Sequence, residues 1–202
     1  MTVVLLDRGA LDEIVDVLSD AFHDYPVMRH VLGGDTDDAA RLSALIRLFA
    51  SARALRGEPM FGLRDGGGAL IAVATMTPPG SIAAPPEWTA LRDQTWAVLG
   101  ADARARYQQL VDAWTRSEPA GRHHHLNMIG VRRALHGGGC ARPLLAHAIA
   151  IADADGSAQG LDLTTEHEAN LSLYEHFGFR VAAETTVSPD LTTWALYRER
   201  QA

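Results

Sequence analysis

The feature that constrains this chain most is an apolar segment followed by three consecutive glycines and an amphipathic segment. Residues 126–131 combine β-branched and long apolar side chains with a single asparagine, a pattern typical of a mostly buried strand. Gly137, Gly138 and Gly139 follow, and the apolar residues beyond them recur at helical spacing. We therefore predict a strand, a glycine turn and a helix that begins near Gly139 or Cys140.

The predicted turn has the properties of an anion-binding site. A helix N-terminus leaves its first backbone N–H groups without intrahelical partners and carries partial positive charge. Glycines before it let an anion approach the main chain, because no side chain is in the way. Pro143 has no N–H and is tolerated in the first helical turn. The predicted donors are therefore the amides from Gly137 to Arg142.

Two nucleotide-binding patterns fit this turn poorly. A phosphate loop of the triphosphate type has a lysine and a hydroxyl residue after its glycines, whereas Cys140 and Ala141 occupy those places here. A dinucleotide fingerprint has glycines at its first, third and sixth positions, whereas the glycines here are contiguous. Both nucleotide classes are therefore disfavoured.

Two motifs in the chain resemble those of the GNAT superfamily of N-acetyltransferases. The segment His136-Gly-Gly-Gly139-Cys-Ala141 is similar to the family's acyl-CoA-binding motif, although His136 replaces the usual Gln or Arg. The segment Asn170-Leu-Ser-Leu-Tyr174-Glu-His-Phe-Gly-Phe179 resembles the family's later motif, which follows its fifth strand. The earlier segment 21–30 resembles the acceptor-side segment of puromycin N-acetyltransferase-like members.

The resemblance implies one α/β (α+β) domain over residues 1–202. Its expected fold is a central mixed, mostly antiparallel sheet with a splayed parallel strand pair and flanking helices. It also implies that acetyl-CoA is the cofactor and that the pantetheine arm lies between the splayed strands. The implied cofactor-binding residues are Ile129, Gly130, Val131, His136, Gly137, Gly138, Gly139, Cys140, Ala141, Arg142, Asn170 and Tyr174.

Acetyl transfer to an aliphatic amine requires a base, because such an amine is mostly protonated at neutral pH. Alternation along the strand predicts that His123, His125, Asn127 and Ile129 share one face. His125 is the first candidate for the base, directly or through water, since an unperturbed imidazole pKa of about 6.5 leaves a neutral fraction. Glu166 is the second candidate. The resemblance implies that Tyr174 is the acid that protonates the CoA thiolate.

The expected acceptor is a primary amine on a small molecule. Phe22, Asp24, Tyr25 and Arg29 are the candidate acceptor-binding residues. The segment 87–117, which reads as helical, is predicted to form a lid or wall near them. Aromatic and acidic groups of this kind can hold a cationic amine; those of the helical segment include Trp88, Trp96, Tyr107 and Trp114.

The overall charge restricts the class of partner. A net charge of −7 argues against nucleic acid or an anionic membrane as the main partner. Positive charge is expected only locally, from Arg132, Arg133, His136 and Arg142. The single cysteine excludes an internal disulfide, and the neighbouring histidines lack a Cys or Glu at metal-ligand spacing. Since no leader-like segment or 18-residue apolar run is found, we expect a cytoplasmic protein. We also expect a monomer or a homodimer.

A second interpretation is a degenerate relative that binds CoA as a sensor or interaction module. His136, and Arg133 where the family often has proline, favour this alternative, whereas Asn170 and Tyr174 favour the enzyme. Periodicity predicts the remaining elements. The expected strands are 3–6, 60–63, 69–76, 161–165, 180–187 and 191–198, and the expected helices are one opened by Asp12 and Glu13, 37–55 and 87–117.

Overall fold

The computed structural model describes residues 2–34 and 36–201. The predicted domain boundaries, Met1 and Ala202, lie outside this range. The strands are β1 (Val3–Leu6), β2 (Met60–Arg64), β3 (Leu70–Thr77), β4 (His123–Val131), β5 (Gly160–Thr165), β6 (Arg180–Ser188) and β7 (Leu191–Glu199). The helices are α1 (Leu11–Ala21), α2 (Pro26–Leu32), α3 (Ala39–Arg56), α4 (Pro86–Leu99), α5 (Ala101–Ser117), α6 (Ala141–Ala154) and α7 (Leu171–His176).

The strands form one seven-stranded sheet in the order β1-β2-β3-β4-β5-β7-β6. Only β4 and β5 are parallel, and the other neighbours are antiparallel. The parallel pairing runs from His123 opposite Gly160 to Leu126 opposite Leu163 and stops there. Beyond this point β4 pairs with β3 and β5 pairs with β7. The predicted mixed sheet with a splayed parallel pair is confirmed.

Two apolar clusters cover the two faces of the sheet. Helices α1 to α5 supply the larger one, in which Leu18, Leu45 and Leu110 are fully buried. Helix α6 supplies the other through Leu144 and Leu145, which are also fully buried. None of the described helices is both long enough and apolar enough to cross a membrane.

Strand β4 contains a β-bulge that breaks its alternation. Met128 pairs with Thr75 and Leu126 pairs with Met76, so Asn127 has no partner on β3. The prediction that Ile129 shares a face with His125 is therefore wrong. Ile129 packs against the α6 cluster, whereas Met128 packs against the α1 cluster. A single extra residue reverses the facing of everything beyond it, which a period-2 pattern does not reveal.

Three helical segments also differ from expectation. Helix α2 is absent from the predicted elements; Pro26 is its first residue, because Tyr25 has extended dihedrals and proline fits the first helical turn. The predicted helix 87–117 is two helices that meet at Gly100, whose φ of 91° no helical residue adopts. The predicted helix 37–55 begins at Ala39, where the Asp38 side chain accepts hydrogen bonds from two backbone amides.

Gly130 allows β4 and α1 to approach closely. A Cβ at this position would lie 2.8 Å from Leu18 Cδ2 and 2.9 Å from Ala21 Cβ. We expect Gly130→Ala to lower the free energy of unfolding by about 1–3 kcal/mol, because the added methyl overfills the contact. Urea denaturation would measure the loss. Gly156→Ala is the matched control, since a Cβ there has nothing within 4 Å; equal stability of the two variants would contradict the contact.

Candidate active site

A cavity of about 370 Å³ opens where β4 and β5 diverge. Its floor is formed by the two strands and α7, and its opposite wall by α2, α3, α5 and the end of α1. The cavity therefore contains some residues predicted for the cofactor, namely Ile129, Asn170 and Tyr174, together with Phe22 and Tyr25 of the acceptor side, whereas the glycine turn 136–142 does not line it. The side chains that line it and matter below are Phe22, Tyr25, Phe49, Arg53, Tyr107, Trp114, Glu118, His125, Asn127, Ile129, Asp162, Glu166, Asn170 and Tyr174.

The glycine turn lies at the N-terminus of α6. Gly137 and Gly139 both have φ of 77°, a left-handed conformation that favours glycine, and a Cβ at either would meet nothing within 4 Å. The amides of Gly138 and Arg142 donate to main-chain carbonyls of the turn. Within the described part of the chain, the remaining amides have no acceptor; they belong to Gly137, Gly139, Cys140 and Ala141.

The His136 side chain forms a hydrogen bond to the last residue of β4. Its Nε2 donates to the Val131 carbonyl oxygen over 2.9 Å, since a carbonyl can only accept. In a neutral ring Nδ1 is then an acceptor, so His136 can donate a second hydrogen bond to an anion only as an imidazolium. The side chain that departs from the family motif thus ties the end of β4 to the glycine turn.

The basic residues predicted to surround the turn are mostly paired. Arg132 donates to Asp16, and Arg133 lies 3.2 Å from Asp20 and 3.7 Å from Asp24. Arg142 is exposed and has no ion pair among residues 2–34 and 36–201. The local positive field therefore comes from the backbone amides, the α6 N-terminus and Arg142.

Cys140 is buried and belongs to the apolar cluster under α6. Its side chain faces the core, while its amide faces away from the helix without an acceptor in the described chain. This placement agrees with the interpretation of Cys140 as a small apolar residue that packs under the start of α6. It leaves the thiol out of the cavity lining.

Tyr174 and Asn170 lie on α7 and on the turn before it, and both line the cavity. Burial, with a contribution from the Glu166 charge, raises the pKa of Tyr174. Its hydroxyl therefore stays protonated at neutral pH and can donate. Asn170 precedes the first residue of α7, but its side chain does not cap the helix; its Nδ2 donates to Thr165 Oγ1 over 3.3 Å.

His125 lines the cavity and forms a short hydrogen bond to Asp162. The two residues face each other across the parallel pair, and Nδ1 lies 2.8 Å from Asp162 Oδ2. The Asp162 side chain is only 5% exposed, whereas that of His125 is 34% exposed. His123 approaches the other Asp162 oxygen at 3.5 Å. No three metal-ligating side chains converge within the described residues.

Glu166 is buried at the end of β5. Its Oε1 accepts from Thr193 Oγ1 at 2.6 Å and from Trp114 Nε1 at 3.2 Å. Burial raises its pKa, and these hydrogen bonds partly oppose the rise. Its amide also donates to the Tyr25 hydroxyl oxygen over 3.0 Å. Glu166 thus joins α5, β7 and the segment before α2, with one carboxyl oxygen already engaged.

The bulge residue Asn127 is held by a buried charged group. Arg53 Nε donates to Asn127 Oδ1 over 3.0 Å, and Thr77 Oγ1 lies 3.0 Å from the same oxygen. Glu58, with a side chain 3% exposed, lies 3.5 Å from Arg53 and compensates its charge. The bulge is therefore fixed from α3 through a hydrogen-bonded network.

The four predicted acceptor residues separate into two pairs. Phe22 and Tyr25 line the cavity, and their rings pack edge to face with centroids 5.0 Å apart. Asp24 and Arg29 lie on the surface with side chains 63% and 55% exposed, 3.9 Å apart, and do not line the cavity. The structure therefore does not bring the predicted charged pair to the acceptor side.

Helix α5 forms the wall predicted for the 87–117 segment. Tyr107 and Trp114 line the cavity, and Tyr107 stacks on Phe49 with centroids 5.5 Å apart. Trp96 is in the core and Trp88 lies under two arginines outside the cavity. Half of the aromatic residues considered in this segment therefore face the site.

Sequence reasoning missed Asp162, Arg53 and the structural role of Asn127. Asp162 carried a signal, because an acid between Leu161 and Leu163 in a short apolar strand must be either paired or functional. Arg53 carried none, since an arginine near the end of an amphipathic helix is normally solvated. The bulge depends on the pairing of two strands and left no mark in the sequence.

Comparisons with known proteins agree with this geometry. Residues 49–179 match the Acetyltransferase (GNAT) family. Because the match spans well over half of the chain, the protein belongs to the GNAT family and is an N-acetyltransferase.

Several solved structures share the fold. One from Corynebacterium glutamicum, described as histone acetyltransferase HPA2 and related acetyltransferase, has 21% identity and a TM-score of 0.76, over 100% of this chain and 97% of that one. The ribosomal-protein-S18-alanine N-acetyltransferase of Escherichia coli has 17% identity and a TM-score of 0.59, over 100% and 95%. Naa20 of Chaetomium thermophilum, in complex with a bisubstrate analogue, has 15% identity and a TM-score of 0.55, over 99% and 87%.

The open glycine turn leads to a binding prediction. We expect Gly139→Trp to weaken acetyl-CoA binding by about 100-fold or more, because it blocks two or more charge-assisted hydrogen bonds to the main chain. Isothermal titration calorimetry would measure the change. Gly68→Trp is the matched control, since Gly68 has φ of 86° in the exposed turn between β2 and β3, with nothing within 4 Å of a Cβ. Unaltered affinity in Gly139→Trp would remove the turn from the cofactor site.

Proposed function

We propose that the protein transfers the acetyl group of acetyl-CoA directly to the primary amine of a small molecule bound in the cavity. The observation that carries this proposal is the convergence of His125 and Tyr174 on one cavity, at the point where β4 and β5 separate. A base for the amine and a donor for the departing thiolate are the two groups that such a transfer requires.

The unpaired amides of the glycine turn support a cofactor site for the diphosphate of acetyl-CoA. Arg142 would add the nearest unpaired positive charge in the described chain. Ile129, Gly130 and Val131 pair with β3 on one side only, so their remaining main-chain groups face the gap toward β5. Extended backbone of this kind can hydrogen-bond to the amides of a pantetheine arm. When bound there, acetyl-CoA supplies the activated thioester.

The residues of the cavity divide the proton transfers between them. His125 would take the proton of the acceptor ammonium, directly or through water, and release it to solvent. Asn127, freed from the ladder by the bulge, would offer its backbone N–H to the thioester carbonyl oxygen. The amine nitrogen would form a bond to the acetyl carbon as the carbon–sulfur bond breaks, and the Tyr174 hydroxyl would donate its proton to the departing thiolate. The second amine proton would then restore the Tyr174 hydroxyl. The products are the acetylated amine, the free thiol and one proton, which leaves through His125.

His125 is a better base than Glu166 in this geometry. Its Nε2 has no hydrogen-bond partner within the described residues, and its side chain is partly open to the cavity. Glu166 instead accepts from Thr193 and Trp114 and is almost fully buried. We therefore assign Glu166 to holding the α5 wall and His125 to the chemistry.

The shape of the cavity supports a small acceptor. Its volume of about 370 Å³ lies at the lower end of small-molecule sites. Phe22, Tyr25, Phe49, Tyr107 and Trp114 give the acceptor side an aromatic lining suited to an amine on an apolar body. This favours a small molecule, as in the puromycin N-acetyltransferase-like members that segment 21–30 resembles, over a folded protein.

The proposed function is tested by thiol release from acetyl-CoA with a panel of amines. We expect turnover with small aromatic or otherwise apolar primary amines, and slower turnover with polyamines, free amino acids and peptides, because the lining is aromatic and the volume small. Mass spectrometry would verify the acetylated product. Acetyl-CoA binding without turnover on any amine would instead favour the CoA-binding module, and a preference for peptides would overturn the small-molecule assignment.

The role of Tyr174 generates a separate prediction. We expect Tyr174→Phe to lower kcat by roughly 100-fold, as for the loss of a general acid, while the dissociation constant for acetyl-CoA stays within about twofold. The ring and its packing on Phe179 are retained, so stability should change little. Steady-state kinetics and calorimetry measure the two quantities. A variant with full activity would exclude Tyr174 as the donor.

A further inference from the structure

We propose that Asp162 is a positioning residue for the transfer, which fixes the tautomer and orientation of His125 and stabilises its protonated form. This inference rests on the proposed function, in which His125 is the base. It extends the site from the cavity lining into the buried part of the parallel strand pair.

The first step is the hydrogen bond itself. A carboxylate only accepts, so the 2.8 Å contact with Asp162 Oδ2 places the hydrogen of neutral His125 on Nδ1. Nε2 then carries the lone pair, and it is the ring nitrogen without a protein partner in the described chain. The free lone pair belongs to the ring that lines the cavity. A base for the acceptor must present its lone pair in this way.

The second step is the rigidity of the pair. His125 and Asp162 are directly opposite in the parallel register, one residue before the pairing ends. Asp162 is also opposite Tyr197 on β7, and His125 is opposite Thr77 on β3. Both residues are therefore fixed by strands on their outer sides. The imidazole is therefore held in place, although the two strands separate one residue further on.

The third step is electrostatic. The Asp162 side chain is buried, and its Oδ1 has no hydrogen-bond donor within the described residues, with His123 Nε2 at 3.5 Å. A carboxylate with so few donors interacts strongly with a positive charge that forms next to it. Protonation of His125 during turnover supplies that charge. The pair thus favours the imidazolium over the neutral ring at the moment when the acceptor loses its proton.

Other titratable groups line the same cavity as the His125 imidazole. Arg53 approaches from α3, Glu118 from the end of α5 and Glu166 from the end of β5, with Tyr174 on α7 and Tyr25 before α2. His123 contacts the second Asp162 oxygen and lies 3.7 Å from Glu118. An isosteric change at Asp162 leaves all of these groups in place, so its effect can be separated from theirs.

The chain contains a matched control on the opposite face of β4. His124 Nε2 lies 3.0 Å from Asp155 Oδ2, so a buried histidine at the adjacent position of the same strand also contacts an aspartate. Neither residue lines the cavity. A purely structural contribution of a His–Asp contact should therefore appear in Asp155→Asn as well as in Asp162→Asn.

The kinetic test compares Asp162→Asn with Asp155→Asn in the full chain. We expect Asp162→Asn to lower kcat by roughly 100-fold, because the amide can hold the wrong tautomer, while the KM for acetyl-CoA stays within about twofold. Asp155→Asn should change neither quantity. An unaltered kcat in Asp162→Asn, or an equal loss of kcat in both variants, would overturn the proposal.

A second measurement does not depend on turnover. Long-range ¹H–¹⁵N correlation spectra report which ring nitrogen of a histidine carries the hydrogen, and the signal absent from His125→Gln identifies His125. We expect the Nδ1–H tautomer in the native protein and a mixture in Asp162→Asn. An Nε2–H tautomer in the native protein would overturn the proposal even if an acceptor is found. A protein inactive on every amine but with the expected tautomer would contradict the proposed function alone.

Discussion

The site depends on the point at which β4 and β5 stop pairing. Strand β4 stays paired with β3 and strand β5 stays paired with β7. The two central strands separate from each other after Leu126 and Leu163. Backbone groups in the opened segment would be costly if buried without partners, and a ligand with its own amides can satisfy them. The cavity and the free strand edge both follow from this one divergence.

The bulge at Asn127 determines which side chains meet in the opening. Without it, His125 and Ile129 would face the same side of the sheet. With it, Ile129 packs against the apolar cluster of α6, and His125 remains on the side of the aromatic wall. The buried Arg53 and Glu58 network secures this change of facing from α3. Burial of charged groups carries a desolvation penalty. A network of this kind around one asparagine therefore suggests that the position of that asparagine is important for the site.

The sequence predicted the parts of this arrangement that are local. The glycine turn, the amphipathic α6 and the strands β6 and β7 follow from residue type and spacing within short segments, and the position of Tyr174 follows from the resemblance of its segment to a family motif. Arg53, Asp162 and the bulge involve partners 37 or more positions apart in the chain, as with Arg53 and Asn127 or His125 and Asp162. Helix α2 was missed for a different reason, because a proline that ends one helix can equally open the next.

Two buried carboxyl groups border the cavity, and their surroundings separate their roles. Glu166 accepts from Thr193 and Trp114 and has a pKa raised by burial, so it is held in place and loses its charge more readily than an exposed acid. Asp162 has two imidazoles near it and an oxygen without a donor in the described chain. The distribution of donors therefore agrees with the proposed roles, in which Glu166 holds the cavity wall and Asp162 orients the proposed base His125.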